Sequence, residues 1–231
     1  MKIFFTERTQ YLVFFYLSLA VAVLTLVLYF FDASPFHPFL GNINPLLALL
    51  ISIITGFALL TFLISKTQFA IYKKLGLKSY SIIAGIALLF GFEVIAADIW
   101  LVEYPADINV LFPKSLLFYP VIGYIAEVFF HLLPISLIIL ILSSFRKLSK
   151  TKIVWISVIT VSMLEPLYQI SFISQNSSIT IIYTGIHVFL FSLTQLLIFK
   201  RFDFISMYMF RIIFYFIWHI LWGYFRLDLL F

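Results

Sequence analysis

Seven runs of about twenty apolar residues follow one another along this chain, and the segments joining them alternate between cation-rich and cation-poor. A bilayer core about 30 Å thick is crossed by about 20 helical residues. The runs predict helices over 11–31, 44–65, 79–102, 116–144, 153–173, 179–199 and 204–226. Composition agrees: 64% of the 231 residues are hydrophobic and 11% charged, against roughly 25% charged in soluble domains. No soluble core could bury that apolar surface, so lipid must be the main solvent. The reading is an all-α, multi-pass transmembrane bundle of about seven helices. It forms a single domain over 1–231, without internal repeat or low-complexity tract.

The joining segments carry the punctuation and the orientation. Pro35 and Pro38 fall in the first, Pro105 and Pro113 in the third, and Gln175-Asn176-Ser177-Ser178 in the fifth. Pro120 and Pro134 lie inside the long fourth span and predict a tilted or kinked helix. Lys2, Arg8, Lys66, Lys73, Lys74, Lys78, Arg146, Lys147, Lys150, Lys152, Lys200 and Arg201 all fall on one side of the alternation. Lys114 and Arg226 fall on the other, and Arg211 lies inside a span. Cytoplasmic loops collect Lys and Arg, so this pattern places the amino terminus in the cytoplasm and the carboxyl terminus outside the plasma membrane. It also accounts for the net charge of +5 through anionic lipid headgroups rather than nucleic acid. The first run is too long for a signal-peptide core and lacks a small-residue cleavage site, so it is expected to remain as a helix. Cysteine is absent, which removes thiol nucleophiles, thiolate metal sites and disulfides.

Ionisable groups at bilayer depth are expensive and usually face the bundle interior. Here they are Glu93 and Asp98 in the third span, Glu127 and His131 in the fourth, Glu165 in the fifth, His187 in the sixth, and Arg211 and His219 in the seventh. Counting from each basic anchor, Glu127 stands 19 residues from Arg146 and His131 15, Glu165 13 from Lys152, and His219 18 from Arg201. At 1.5 Å per residue these four differ in depth by at most about 9 Å, so they are expected to form one layer. Glu127 and His131 are four apart and share a helix face, as do Arg211, Tyr215 and His219. Two carboxylates and two imidazoles from three helices support two chemistries. A carboxylate can act as base on water beside polarising histidines, or all four groups can bind a divalent metal such as zinc or iron that activates the water. Arg211, His187 and Glu93 are secondary candidates: Arg211 to neutralise a carboxylate or reach the headgroups, His187 to make an interhelical hydrogen bond. Glu93 and Asp98 are five apart and point different ways, and His37 lies in an outside loop.

The segment Ile125-Ala126-Glu127-Val128-Phe129-Phe130-His131-Leu132-Leu133-Pro134 resembles the first motif, Glu-Glu-x-x-x-Arg, of the CPBP intramembrane proteases. That family includes the CAAX-processing enzymes and bacterial proteins linked to bacteriocin self-immunity. Phe216-Ile217-Trp218-His219-Ile220-Leu221-Trp222-Gly223 is similar to its last motif, His-x-x-x-Asn, and Val161-Ser162-Met163-Leu164-Glu165 stands where its aromatic-x-x-x-His motif would fall. The resemblance covers about residues 116–231. Ala126 replaces the first glutamate, His131 the arginine, Glu165 the middle histidine and Gly223 the asparagine. The resemblance implies Glu127 as the water-activating base and His219 as an oxyanion donor or metal ligand, with His131 and Glu165 in the remaining polar roles.

These readings lead to an intramembrane endopeptidase acting on a peptide or membrane-protein substrate. The alternatives are a metal-dependent lipid or amide hydrolase with the same four ligands, and a non-catalytic immunity, chaperone or small-transporter protein whose polar layer holds helices together or passes a proton.

Overall fold

The computed structural model describes residues 2–102, 104–145, 148–172 and 177–231. Seven helices among them are long and apolar enough to cross a membrane. They are α1 (Lys2–Phe31), α2 (Pro45–Lys66), α3 (Leu77–Trp100), α4 (Lys114–Ser143), α5 (Lys150–Ser171), α6 (Ser178–Arg201) and α7 (Phe204–Leu230). The chain is a multi-pass helical membrane protein. Arg146, Lys147, Gln175 and Asn176 lie outside the described residues.

Local chemistry sets the helix starts. The side chain of Asn44 accepts from the amides of Leu46 and Leu47, with Pro45 in the first helical position of α2. Ser149, Ser177 and Asp203 cap α5, α6 and α7 in the same way. Each side-chain oxygen satisfies a backbone N–H that the helix itself leaves free.

Helices α4 and α7 are central. Helix α1 packs on α2 and on the first half of α4; α3 packs along α7; α5 leans on the end of α4 and then on α6, which closes against α7. The α3–α7 contact is close because Gly91 has no side chain: a Cβ there would stand 2.7 Å from Ile217 Cγ2. Rings of Phe90, Phe191, Phe210 and Phe214 fill the space among α3, α6 and α7. The loop after α2 is drawn into the bundle: Ile71 donates to Gln10 and Lys73 donates through its amide to Asp203.

Three spans are irregular. In α4, residues Glu127–Leu132 form a π-helical stretch, with the Leu133 amide bonded to the carbonyl five residues back, at Val128. Pro134 explains it: the ring has no N–H and would press on the carbonyl of residue 130 in a regular helix. The kink expected from Pro134 is thus a widened turn. In α7 a second π-helical stretch runs over Phe216–Trp222. The fifth span was expected to be continuous over 153–173. It is instead Lys150–Val161 and Leu164–Phe172, separated by a turn at Ser162 and Met163. Pro166 carries the reason, since its ring opposes a regular turn over residue 162.

Candidate functional site

Helix α4 supplies Glu127 and His131 from the π-helical stretch, and α5 supplies Glu165 from the first turn after its break. Helix α6 adds Ser192 and Gln195, and α7 adds Arg211 and Tyr215. These side chains meet in the middle of α4, α5, α6 and α7. Glu127 and His131 are wholly buried, Arg211 is 1% exposed and Glu165 4%.

Arg211 is the hub. Its Nε donates to Glu127 Oε1 at 2.6 Å; Nη1 donates to Glu165 Oε1 at 2.9 Å and to the Tyr215 hydroxyl at 2.8 Å; Nη2 donates to Glu165 Oε2 and Gln195 Oε1, each at 2.9 Å. Every N–H of the guanidinium is therefore used, and the grip on Glu165 is bidentate. The Gln195 amide donates to Glu127 Oε1 as well. His131 Nε2 is 2.9 Å from Ser192 Oγ and 3.8 Å from Glu165 Oε2. On its other side, His131 Nδ1 lies 2.8 Å from Glu127 Oε2. These two atoms are within ion-pair range but out of line for a hydrogen bond, and both are buried without any other partner. Glu127 Oε1 and both Glu165 oxygens are thus tied to the guanidinium, and the His131 ring sits between the two carboxylates.

No family model, curated protein or solved structure matches the chain.

Glu127, His131 and Glu165 therefore come together as the sequence predicts, but His219 does not join them. Eight residues beyond Arg211 on the same face, it is about 12 Å further along α7. Its Nδ1 lies 2.6 Å from Asn109 Oδ1, and its ring stacks on Tyr119 at 4.5 Å. Tyr215 is the link between the two places, bonded to Arg211 and in edge contact with the His219 ring at 5.0 Å. The single four-residue layer is thus two adjoining sites. The same geometry answers the metal reading. Among the described residues no three His, Asp or Glu side chains gather to hold an ion. The carboxylates already converge on a guanidinium, which stands where a cation would stand, and the fourth proposed ligand is elsewhere. The donor set Glu127, His131, Glu165 and His219 does not fit zinc or iron.

The other sequence candidates separate as their spacing requires. Asp98 turns to α7, where Arg226 holds it through Nε at 2.6 Å and Nη2 at 3.0 Å and Trp222 donates to it at 2.7 Å. Arg226 also donates to the carbonyls of Tyr104 and Pro105. It is 1% exposed, so this outer cation is a buried clasp between α3, α7 and the third loop, not a surface charge. Glu93 turns to α6, with Oε2 2.5 Å from His187 Nδ1 and the Tyr183 hydroxyl 3.5 Å from the same nitrogen. His187 thus makes the expected interhelical contact.

Gln195, Ser192 and Asn109 were not among the sequence candidates. The signal for the first two was present, as polar residues three apart on one face of an otherwise apolar span. Asn109, in the loop before α4, had none.

A cavity of about 200 Å³ opens between α4 and α7, lined by Leu116, Tyr119, Pro120, Ile212, Tyr215 and Phe216 among others. Leu116 and Phe216 are exposed on the lipid-facing surface. Tyr215 belongs both to this apolar crevice and to the Arg211 network.

Proposed function

We propose that the chain is an intramembrane hydrolase of the plasma membrane, resembling the CPBP proteases. In this reading it cleaves a peptide bond of a peptide or membrane-protein substrate at bilayer depth. The observation that carries the reading is the pairing of Glu127 Oε2 and His131 Nδ1, 2.8 Å apart, buried, and free of other partners. Such atoms are rare in folded interiors and call for an explanation, which a role in proton transfer supplies. Arg211 and Gln195 hold Glu127 by Oε1, which leaves Oε2 as the oxygen able to take a proton.

The chemistry follows from general base catalysis. Glu127 accepts a proton from water as the water oxygen attacks the carbonyl carbon. Tyr215, whose oxygen already accepts from Arg211, keeps its own O–H to donate to the oxyanion. Glu127 and His131 then pass the proton to the leaving amine as the C–N bond breaks. The crevice between α4 and α7 gives an apolar segment a lateral way to Tyr215. Arg211 and Glu165 fix the orientation of Glu127 and Tyr215.

The resemblance gains support at the last motif. A Cβ on Gly223 would stand 3.0 Å from Asn109 Cβ and 3.1 Å from its Nδ2. The space that a motif asparagine at 223 would fill holds the amide of Asn109, hydrogen-bonded to His219. His219 thus has an amide beside it, from the loop before α4, although Gly223 stands where the motif has asparagine.

The test is Glu127→Gln, in cells where new amino termini of membrane proteins are quantified by mass spectrometry. Wild-type protein is expected to generate cleavage products that the variant lacks, with both chains equally abundant in the membrane. Unchanged products in the variant would refute the reading. A non-catalytic latch is the second reading, favoured by the near-complete enclosure of the network. It predicts no products from either chain and a loss of stability in the variant.

A further inference from the structure

We propose that the cytoplasmic ends of α2, α4, α5 and α6 form a binding site for the phosphate headgroup of an anionic phospholipid. A cavity of about 360 Å³ lies between them. Lys66 comes to it from the last turn of α2, Lys150 from the first turn of α5 and Lys200 from the last turn of α6. None of the three is paired with a carboxylate among the described residues. Lys200 Nζ instead stands 4.0 Å from the ring centroid of Trp155. Three cations around one concavity, with no acidic partner, define a place for an anion.

The lining decides between a free anion and a lipid. Around the rim, Ser143, Thr151 and Gln68 supply hydroxyl and amide groups. Below it, Phe69, Ile139 and Ile153 form a buried apolar floor. A hydrated phosphate ion has no use for that floor, whereas a phospholipid carries its phosphate directly above glycerol ester and acyl carbons. Trp155 on the exposed face of α5 is an amphipathic ring at the depth where membrane proteins keep aromatic anchors. The basic ends of the helices mark this as the cytoplasmic surface, where anionic lipids concentrate. The proposal is independent of any hydrolytic activity, because it uses no residue of the Glu127–Arg211 network.

The test uses the detergent-purified, delipidated full chain. Phosphatidylglycerol, phosphatidylcholine and inorganic phosphate are each titrated while thermal stability and native mass spectra are recorded. Phosphatidylglycerol is expected to bind and stabilise; phosphatidylcholine and phosphate are not. The variant K66Q/K150Q/K200Q is expected to lose about a hundredfold in affinity, taking each interfacial lysine as worth roughly fivefold. A K73Q/K74Q/K78Q variant, equally depleted of basic residues on the same side but outside the cavity, is expected to bind like wild type. If the triple variant does not fold, K66Q/K150Q, which leaves the Lys200–Trp155 contact intact, is read in its place and is expected to lose about twenty-five-fold. Equal stabilisation by inorganic phosphate would make the ligand a free anion and overturn the lipid proposal. Equal losses in the control variant, or no loss in the cavity variants, would overturn the site.

Discussion

Replacing Arg211 with methionine tests the network where it is most exposed to failure. Methionine keeps much of the volume and the helix propensity but removes all five guanidinium hydrogen bonds. Interhelical hydrogen bonds in membrane bundles are worth about 0.6 kcal/mol each, so the bonds alone amount to roughly 3 kcal/mol. Removing one partner of a buried ion pair costs about 3–5 kcal/mol, because the remaining charge stays desolvated. Glu127 and Glu165 would both be left in that condition, with one imidazole between them. The expected loss is therefore about 3–5 kcal/mol, read by equilibrium unfolding in mixed micelles. The companion variant R211M/E127Q/E165Q removes the charges together and should lose clearly less than R211M alone, since exchanging a whole buried ion network for neutral groups is often close to neutral. A loss below about 1 kcal/mol for R211M would refute the reasoning. So would a triple variant as unstable as the three single losses added together.

Three further outcomes follow from features away from the network. Asp203 caps α7 through the Ser206 amide at 2.7 Å and also receives the Lys73 amide at 2.7 Å. D203A should lose about 1–2 kcal/mol in the same unfolding assay, while D203N keeps the cap. Burial raises the Asp203 pKa, so the folded chain holds that proton at pH values where the unfolded chain has released it. Stability should then fall as pH rises through and above the ordinary aspartate range, and D203N should flatten that slope. Asp32 shows the opposite sign: its bond from Lys114, then those from Ser34, hold its carboxyl at about 2. The contribution of this pair should persist above the ordinary aspartate value and disappear as pH falls through about 2, and a carbon-13 titration of K114M should move Asp32 up toward the usual range while the Ser34 bonds hold it below. G223A brings a methyl into the Asn109 side chain and should cost about 1 kcal/mol net of helix propensity. In N109A that cost should vanish, a non-additivity that a thermal double-mutant cycle measures.

The membrane fold was legible because one strong signal repeats seven times. Hydropathy locates the spans, while their capped starts at Asn44, Ser149, Ser177 and Asp203 come from the structure. The polar site was legible in part. Glu127 and His131 share a face by spacing alone, and Glu165 was drawn in by depth. His219 was misplaced for a physical reason: counting from basic residues assumes that each anchor sits at the same height. Arg146 lies three residues past the end of α4 at Ser143, and neither helix tilt nor widened turns appear in such a count. Glu127 is level with Arg211, which it touches, although the counts of 19 and 10 residues separate them. Sequence leaves Arg211 two readings, neutralising a carboxylate or reaching back to the headgroups; the structure has it pairing with both Glu127 and Glu165. Gln195 carries no charge, so hydropathy passes over it, yet it bonds both Glu127 and Arg211.

The irregular turns bear on whether the network is only a latch. In hydrocarbon every backbone group must be satisfied within the protein, so departures from α-helix are tolerated where neighbouring groups take up what the helix releases. A latch between helices needs only side chains at the right phase, which a regular helix supplies. Here α4 widens over the stretch that carries Glu127 and His131, α5 breaks just before Glu165, and α7 widens over the stretch that carries His219. Pro134 and Pro166 enforce the first two, but no proline lies within or just after the third. What α7 gains there is a position for His219 against Tyr119 and Asn109, with Gly223 making room for the asparagine. Widened turns of this kind gather at functional sites. Their presence on two helices at the two motif segments, joined by Tyr215, with the α7 stretch reaching the α4–α7 crevice through Phe216, favours a site that handles a substrate over one that holds helices together.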